Sequence, residues 1–590
     1  MSELERKNKR QILEIFLIAI FSILLLRFVY LQIYLQDYYH HESEKNSVRT
    51  IVVPATRGLI LDQNREVLVD NFPAYSVYGI PYDLQNADSV FTLLSNILSM
   101  PVQEIKSKIL EPRWGVFQPI KLKRHVDFQT LSAIEELKLQ LPGVEYHVEP
   151  RRAYPSGVKA PHIFGYLGEI SSEELTESST NGYNPGDIIG KQGLEKAFED
   201  EFRGNNGVYY IEVDAFGRKI RDIIEKGNVP AVPGNHIILT LDKALQIKLE
   251  QELEGMKGGG IVLNVKTGEI LAITSKPDYD PSFFARPRPL ETWEKLATDQ
   301  GHPLYHRMLQ SFFPPGSTYK LVLALTALQE NKVDLDWKIT CNGSYTLGTK
   351  RFNCWKAGGH GEMDLLNAIE QSCNVYFYQL MLKVPFSAWS RYGKMLGFGK
   401  STGIDLPGEN CGLVPDNDFM NRKYGRRGWT KGQLLNLAVG QGDLLVTPIQ
   451  MAVLAMIIAN EGTYYQPHLV KSIQNATSGK ENIRGIVPLE ITGISRKNFQ
   501  IVKNGMYRVV HGSHGTGRFL SSIGILAAGK TGTAENPHGE PHAWFIGFAP
   551  YQNPEIAFCF FIENGGTGSG AAVPVAQKIL STYFAGLIKD

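Results

Sequence analysis

The sequence lacks a charge excess, a second long apolar run and any internal repeat. Its 590 residues carry 61 Lys+Arg against 60 Asp+Glu, a formal net charge of +1. Nucleic-acid-binding domains usually carry a basic excess, so the balance argues against that class. A mean hydropathy of −0.17 excludes a polytopic membrane protein and leaves room for one anchor. The composition, 43% hydrophobic, 21% charged and 10% aromatic, excludes a mainly disordered or collagen-like chain. No low-complexity tract interrupts it. At roughly 150 residues per domain, the length allows about three or four domains.

The one long apolar run lies at the start. Ile12–Leu35 is interrupted only by Glu14, Ser22, Arg27 and Gln32, and at ~1.5 Å per residue it can cross a ~30 Å hydrocarbon core. A cleavable signal needs small residues after its apolar core, and Arg27–His40 has none. Arg27 can snorkel, and Tyr30, Tyr34, Tyr38 and Tyr39 suit an interfacial belt. Arg6, Lys7, Lys9 and Arg10 precede the run, while only Asp37 follows closely. The positive-inside rule then predicts a cytoplasmic tail over 1–11, an anchor over 12–35, and the remaining chain across the membrane.

Beyond the anchor, Val48–Val53 reads as a strand, and an Asp62-Gln63-Asn64 turn separates two further strand-like segments. Helical patterns cover 88–99, 102–110 and 128–138, and 190–204 reads as one amphipathic helix. A polar stretch rich in Gly and Pro at 225–235 marks a domain boundary. After it, 258–275 reads as a hairpin turning at Lys266-Thr267-Gly268. An α-rich stretch begins near 290. Residues 543–550 and 555–564 read as paired strands, followed by a helix over 572–588. These elements predict one C-terminal α/β domain with strands at both ends and helices between.

Three short motifs occur in order in that domain. Pro314-Pro315-Gly316-Ser317-Thr318-Tyr319-Lys320 places Ser317 near a helix start, because Pro-Pro-Gly resists backward extension. Ser317 and Lys320, at i and i+3, share one helical face. An amine held there and stripped of water can lose its proton and take that of the serine hydroxyl. Ser372-Cys373-Asn374 follows in a loop or helix turn, and Lys530-Thr531-Gly532-Thr533 precedes the terminal strands. A lone Ser-x-x-Lys is most often a solvated helix face; all three motifs in this order form a specific signature.

The triple resembles the active-site-serine β-lactamases and penicillin-binding proteins. The resemblance extends to 258–284 and to 440–452, which are similar to segments of class B penicillin-binding proteins. Residues 56–64, 151–157 and 190–204 resemble motifs of the pedestal those proteins carry. Within the class the text is most similar to the elongation-type members, penicillin-binding protein 2. The resemblance implies an α+β chain with a single transmembrane helix. It implies an elongated mixed α/β pedestal of dimerisation type over 36–232, with a head insertion at about 72–150. The transpeptidase domain, a central antiparallel sheet with a helical subdomain, would span 233–590.

It also implies roles. Ser317 attacks the D-Ala-D-Ala carbonyl of a peptidoglycan stem peptide, Lys320 is its base, and Ser372 passes a proton to the leaving nitrogen. Asn374 orients Lys320, and Lys530, Thr531, Gly532 and Thr533 bind the terminal carboxylate. The N–H groups of Ser317 and Thr533 form the oxyanion hole. β-Lactams acylate Ser317. Many elongation-type members have Asp where Asn374 stands, which weakens the subtype assignment more than the chemistry. Partners implied are a SEDS-family glycosyltransferase, wall-elongation scaffold proteins and the bacterial inner membrane. The competing readings are a division-type paralogue, a membrane-bound β-lactam sensor, a soluble β-lactamase and an inactive scaffold.

Cysteine is scarce, with five residues, but Cys341, Cys354 and Cys373 fall close together. With His360 the order is C-x12-C-x5-H-x12-C, a donor set suited to a closed tetrahedral zinc site. A Cys341–Cys354 disulfide with a spare thiol, and three free thiols, are the alternatives. The resemblance favours a structural metal, since elongation-type members can hold one here and division-type members lack it. The chemistry itself requires no cofactor. Cys411 and Cys559 read as buried core thiols.

Overall fold

The computed structural model describes residues 3–39, 48–84, 88–110, 119–176, 182–183, 186–214, 219–223, 227–285, 290–426 and 428–587. The juxtamembrane residues 40–47, and 225–226 of the expected boundary stretch, lie outside these. The described chain forms two compact units, neither contiguous in sequence.

The first unit comprises 1–56, 75–147 and 204–233. It opens with helix α1 (Glu3–Val29), which continues as a π turn over Tyr30–Tyr34. Residues Arg10–Tyr34, with a mean hydropathy of 2.6, bury no side chain and are long and apolar enough to cross a membrane. Val48–Val53, Gly207–Val213 and Lys219–Asp222 form an antiparallel three-stranded sheet. Helices Asp88–Leu98, Val102–Leu110 and Phe128–Glu136 match the expected periodic segments within two residues. Their apolar faces close a small core through Phe91, Leu94, Leu98, Ile105 and Ile134.

The second unit comprises 57–74, 148–203 and 234–590. The Asp62 turn forms as the sequence suggests: Asp62 Oδ1 accepts the N–H groups of Asn64 and Glu66, each at 2.8 Å. The expected helix over 190–204 is instead two short helices, Gly193–Ala197 and Glu199–Arg203, broken at Phe198. Glu195 and Glu199 both reach Arg57, at 2.6 and 2.8 Å, while Glu195 also accepts from Arg152 at 2.7 Å. The three pedestal-like motifs thus meet in one buried ion network.

The centre of this unit is an antiparallel sheet of β1 (Gly258–Asn264), β2 (Ile270–Lys276), β3 (Ala528–Ala534), β4 (His542–Ala549) and β5 (Ile556–Ile562). Their spatial order is β2–β1–β5–β4–β3. This fills the expected hairpin and terminal strand pair and confirms the α+β class. Helices α2 (Lys320–Gln329), α3 (Leu365–Glu370), α4 (Asn374–Lys383), α5 (Pro448–Ala459), α6 (Arg496–His511) and α7 (Val573–Leu587) surround it. Every residue of α5 is buried, and a Thr447–Gln450 capping box fixes its start. One expectation fails: Cys411 is exposed, in a loop whose carbonyl accepts from Gln450, whereas Cys559 is buried as anticipated. The flanking Asn410 and Gly412 make that segment a polar turn rather than core.

Candidate active site

Ser317 lies not on an α-helix but in a single 3₁₀ turn, Gly316–Tyr319, and α2 begins at Lys320. Residues at i and i+3 eclipse one another in a 3₁₀ turn, so the expected common face survives the change of helix type. Ser317 is half-buried and Lys320 fully buried. The turn abuts two backbones. A Cβ on Gly532 would lie 2.8 Å from Pro315 O, and one on Gly440 would lie 2.0 Å from Gly316 O. Gly440 also has φ +73°, and its carbonyl accepts Gly316 N–H at 3.0 Å.

Ser372 occupies the residue after the C-cap of α3, with φ +56°. Glycine usually fills this left-handed position. Cys373 N–H donates to Ala368 O at 3.0 Å and Ser372 N–H to Ile369 O at 3.3 Å, the paired bonds of a Schellman motif. The turn then starts α4 at Asn374. Lys320 Nζ donates to Ser372 O at 2.8 Å, Ser372 Oγ at 3.3 Å and Asn374 Oδ1 at 2.7 Å.

The third motif lies on β3, the terminal strand of the sheet, in register Lys530↔Ile546 and Thr533↔Ala543. Lys530 Nζ donates to Ser372 Oγ at 3.0 Å and to Thr531 O at 3.1 Å. Thr533 is exposed at the outer edge, available to an extended ligand. Burial lowers Lys320 to about 8, opposed in part by the thiols of Cys354 and Cys373. Burial, and then the charge of Lys320, hold Lys530 well below the usual lysine range. All eight expected catalytic and binding positions therefore fall on three adjoining backbone segments.

Several supporting residues carried no sequence signal. Glu370 Oε1 accepts His514 N–H at 3.0 Å, and Thr516 Oγ1 meets Thr531 Oγ1 at 2.6 Å, tying the 512–517 loop to β3. Gln441 Nε2 donates to Thr533 O at 3.5 Å. Of these, Gln441 alone falls in a segment that the sequence marks, 440–452.

Cys341, Cys354, His360 and Cys373 bring one ligand atom each to within 4.8 Å of all the others. His360 Nδ1 lies 3.5 Å from both Cys341 Sγ and Cys354 Sγ. Around a tetrahedral zinc, a nitrogen at ~2.0 Å and a sulfur at ~2.3 Å stand ~3.5 Å apart, the separation His360 keeps from both sulfurs, so the donor set fits that ion. All three cysteines are free and buried. Hydrogen bonding between the two draws the Cys354 thiol down and pushes that of Cys373 up.

A buried amine beside a half-buried serine, a second serine between two lysines and a Lys-Thr edge strand compose a serine acyl-transfer site. The penicillin binding protein transpeptidase domain family matches residues 258–581, and the penicillin-binding protein dimerisation domain family matches 52–239. The peptidoglycan D,D-transpeptidase MrdA of Haemophilus influenzae is 33% identical, over 96% of this chain and 91% of its own length. The structure titled as the complex between penicillin-binding protein PBP2 and MreC from Helicobacter pylori superposes with a TM-score of 0.80. Its identity is 27%, over 92% of this chain and 100% of that one. A structure titled as a peptidoglycan synthase complex coordinating polymerization and crosslinking gives 0.72 and 29%, covering 98% of each chain. The chain belongs to the class B penicillin-binding proteins, among the penicillin-binding protein 2 members.

Proposed function

We propose that this protein is the peptidoglycan D,D-transpeptidase of lateral wall elongation. The observation that carries the reading is the convergence of Lys320 and Lys530 on Ser372, with Lys320 also held by Asn374, beside the Ser317 turn. Lys320, kept largely dischargeable by burial, takes the Ser317 proton as Oγ attacks the carbonyl between two terminal D-alanines. The N–H groups of Ser317 and Thr533 receive the developing oxyanion. Ser372 then passes a proton to the leaving D-Ala nitrogen. Lys530, Thr531 and Thr533 hold the terminal carboxylate, with Gly532 allowing the strand to pass close to the serine turn. An amine on a neighbouring stem attacks the acyl-enzyme and leaves a cross-link. β-Lactams enter the same step and remain on Ser317.

The anchor over 12–35 would hold a short tail on the cytoplasmic side of the inner membrane and the bulk of the chain in the periplasm, as Arg6, Lys7, Lys9 and Arg10 ahead of the apolar run favour. Residues 36–232 would serve as pedestal, with its head at about 72–150, and 233–590 as the transpeptidase domain. The relatives solved with MreC and in a synthase complex support partners of the same kinds here: an elongation scaffold protein and a SEDS-family polymerase. We assign Cys341, Cys354, His360 and Cys373 to a structural zinc ion. The ion would pin Cys373, and with it Ser372 and Asn374, without entering the reaction.

Fluorescent penicillin applied to the full-length protein tests the assignment. It labels the wild type stoichiometrically and leaves Ser317→Ala unlabelled. Equal labelling of both, or of neither, overturns it.

A further inference from the structure

Trp355 is 59% exposed, yet its one polar atom is engaged: Nε1 donates to Gln371 O at 3.0 Å. Gln371 is the C-cap of α3, directly before Ser372. The last carbonyls of a helix have no donor within the helix, and here each finds a partner elsewhere. Ala368 O takes Cys373 N–H, Ile369 O takes Ser372 N–H, and Glu370 O takes Thr516 N–H at 3.4 Å. Gln371 O takes the indole. This carbonyl belongs to the peptide plane that carries Ser372 N, so its orientation sets φ at Ser372. That φ is left-handed and unfavourable for a serine. It aims Ser372 O at Lys320 and Ser372 Oγ between Lys320 and Lys530. Trp355 is itself held: its ring meets His360 edge-on, at 5.3 Å between centroids.

We infer that Trp355 is a positioning residue for Ser372, its indole N–H fixing the Gln371–Ser372 peptide so that the hydroxyl stays between the two lysines. The inference rests on the reading of Ser372 as proton donor to the leaving nitrogen. An amide or β-lactam leaves as an amine and requires that proton. A thioester analogue of the same acyl group leaves as a stable thiolate and does not. Loss of positioning should therefore slow the first reaction selectively.

The test measures acylation of full-length Trp355→Phe by a fluorescent penicillin and by a thioester substrate, with rates normalised to titratable Ser317. Trp355→Tyr replaces it if the Phe variant does not fold. The penicillin rate falls about tenfold, as one lost hydrogen bond allows, while the thioester rate stays within about twofold. A merely structural role lowers both equally, and that result, or no change in either, overturns the inference. Ser372→Ala runs alongside. A split there without one in the Trp355 variant overturns this inference alone. No split in Ser372→Ala overturns the reading of Ser372 beneath it as well.

Discussion

Lys320 and Lys530 share a single hydroxyl: their Nζ atoms lie 3.3 and 3.0 Å from Ser372 Oγ. Both amines are fully buried, and two ammonium groups on one oxygen in a low dielectric repel strongly. One of them must give up its proton easily. Burial lowers both, Lys320 to about 8 and Lys530 well below the usual lysine range; Lys320, three residues from Ser317 at the end of the same 3₁₀ turn, is the one placed to act as base.

The acylation rate should therefore follow deprotonation of Lys320. Below the folded value the amine is charged and cannot accept the serine proton. The rate constant for penicillin acylation should rise with unit slope and reach half its plateau near pH 8. Lys320→Arg, whose side chain does not deprotonate, should lose acylation. A profile flat between about pH 6 and 9 would remove Lys320 from the role of base.

Gly440 makes a second test, at a residue outside the three motifs. It has φ +73°, and an added Cβ would sit 2.0 Å from Gly316 O. Gly440→Ala must displace the Ser317 turn. The variant should lose about 1–3 kcal/mol of stability, and about a hundredfold in acylation rate, since displacement of ~1 Å at a reacting group has that effect. Thermal unfolding and penicillin labelling read the two effects separately. A variant that acylates at the wild-type rate would show that the turn does not depend on this contact.

The sequence made the three catalytic motifs legible because each is a short local pattern whose side chains carry the chemistry. It also exposed the hairpin, the terminal strands and the helices of 88–136, where periodicity is strong. What it missed depends on contacts distant in sequence. The turn at Phe198 that interrupts the helix over 190–204 left no mark in the periodicity, and Arg57, the partner of Glu195 and Glu199, lies more than a hundred residues away. Trp355 and Glu370 act on backbone atoms, so nothing in their residue type or spacing announced them. The 3₁₀ turn at Ser317 looked like the start of the helix, since both conformations put i and i+3 together. Cys411 looked like core because a lone cysteine is usually buried.

The Cys/His cluster predicts about one zinc ion per purified chain, in keeping with four closed ligands. Cys354→Ser should weaken retention of the metal and lower the unfolding temperature, because binding energy at a structural site is folding energy. It should also slow acylation, since Cys373 lies between Ser372 and Asn374. Metal analysis that finds none, together with a Cys341–Cys354 peptide in a non-reducing digest, would replace the ion with a disulfide.

Glu195 gives a prediction about stability alone. Its side chain is 1% exposed and bonded to Arg57 and Arg152. Burial by itself would raise its pKa, but the two guanidinium groups outweigh burial and hold it below the ordinary 4.5. A carboxylate depressed in the folded state stabilises fully above its unfolded value, and the contribution is lost as pH falls through the folded one. Glu195→Gln should cost about 3–5 kcal/mol at neutral pH, because it leaves the buried Arg152 without its counter-charge and Arg57 with Glu199 alone. The gap from wild type should then narrow as pH drops below 4.5, where the wild type loses the same interaction. Arg65→Ala breaks the half-exposed pair with Glu481 and should change stability by no more than about 1 kcal/mol. Unfolding temperatures of all three proteins between about pH 3 and 8 decide the matter. A Glu195→Gln deficit that stayed constant down to the lowest pH would mean that packing, not charge, holds the three motifs together.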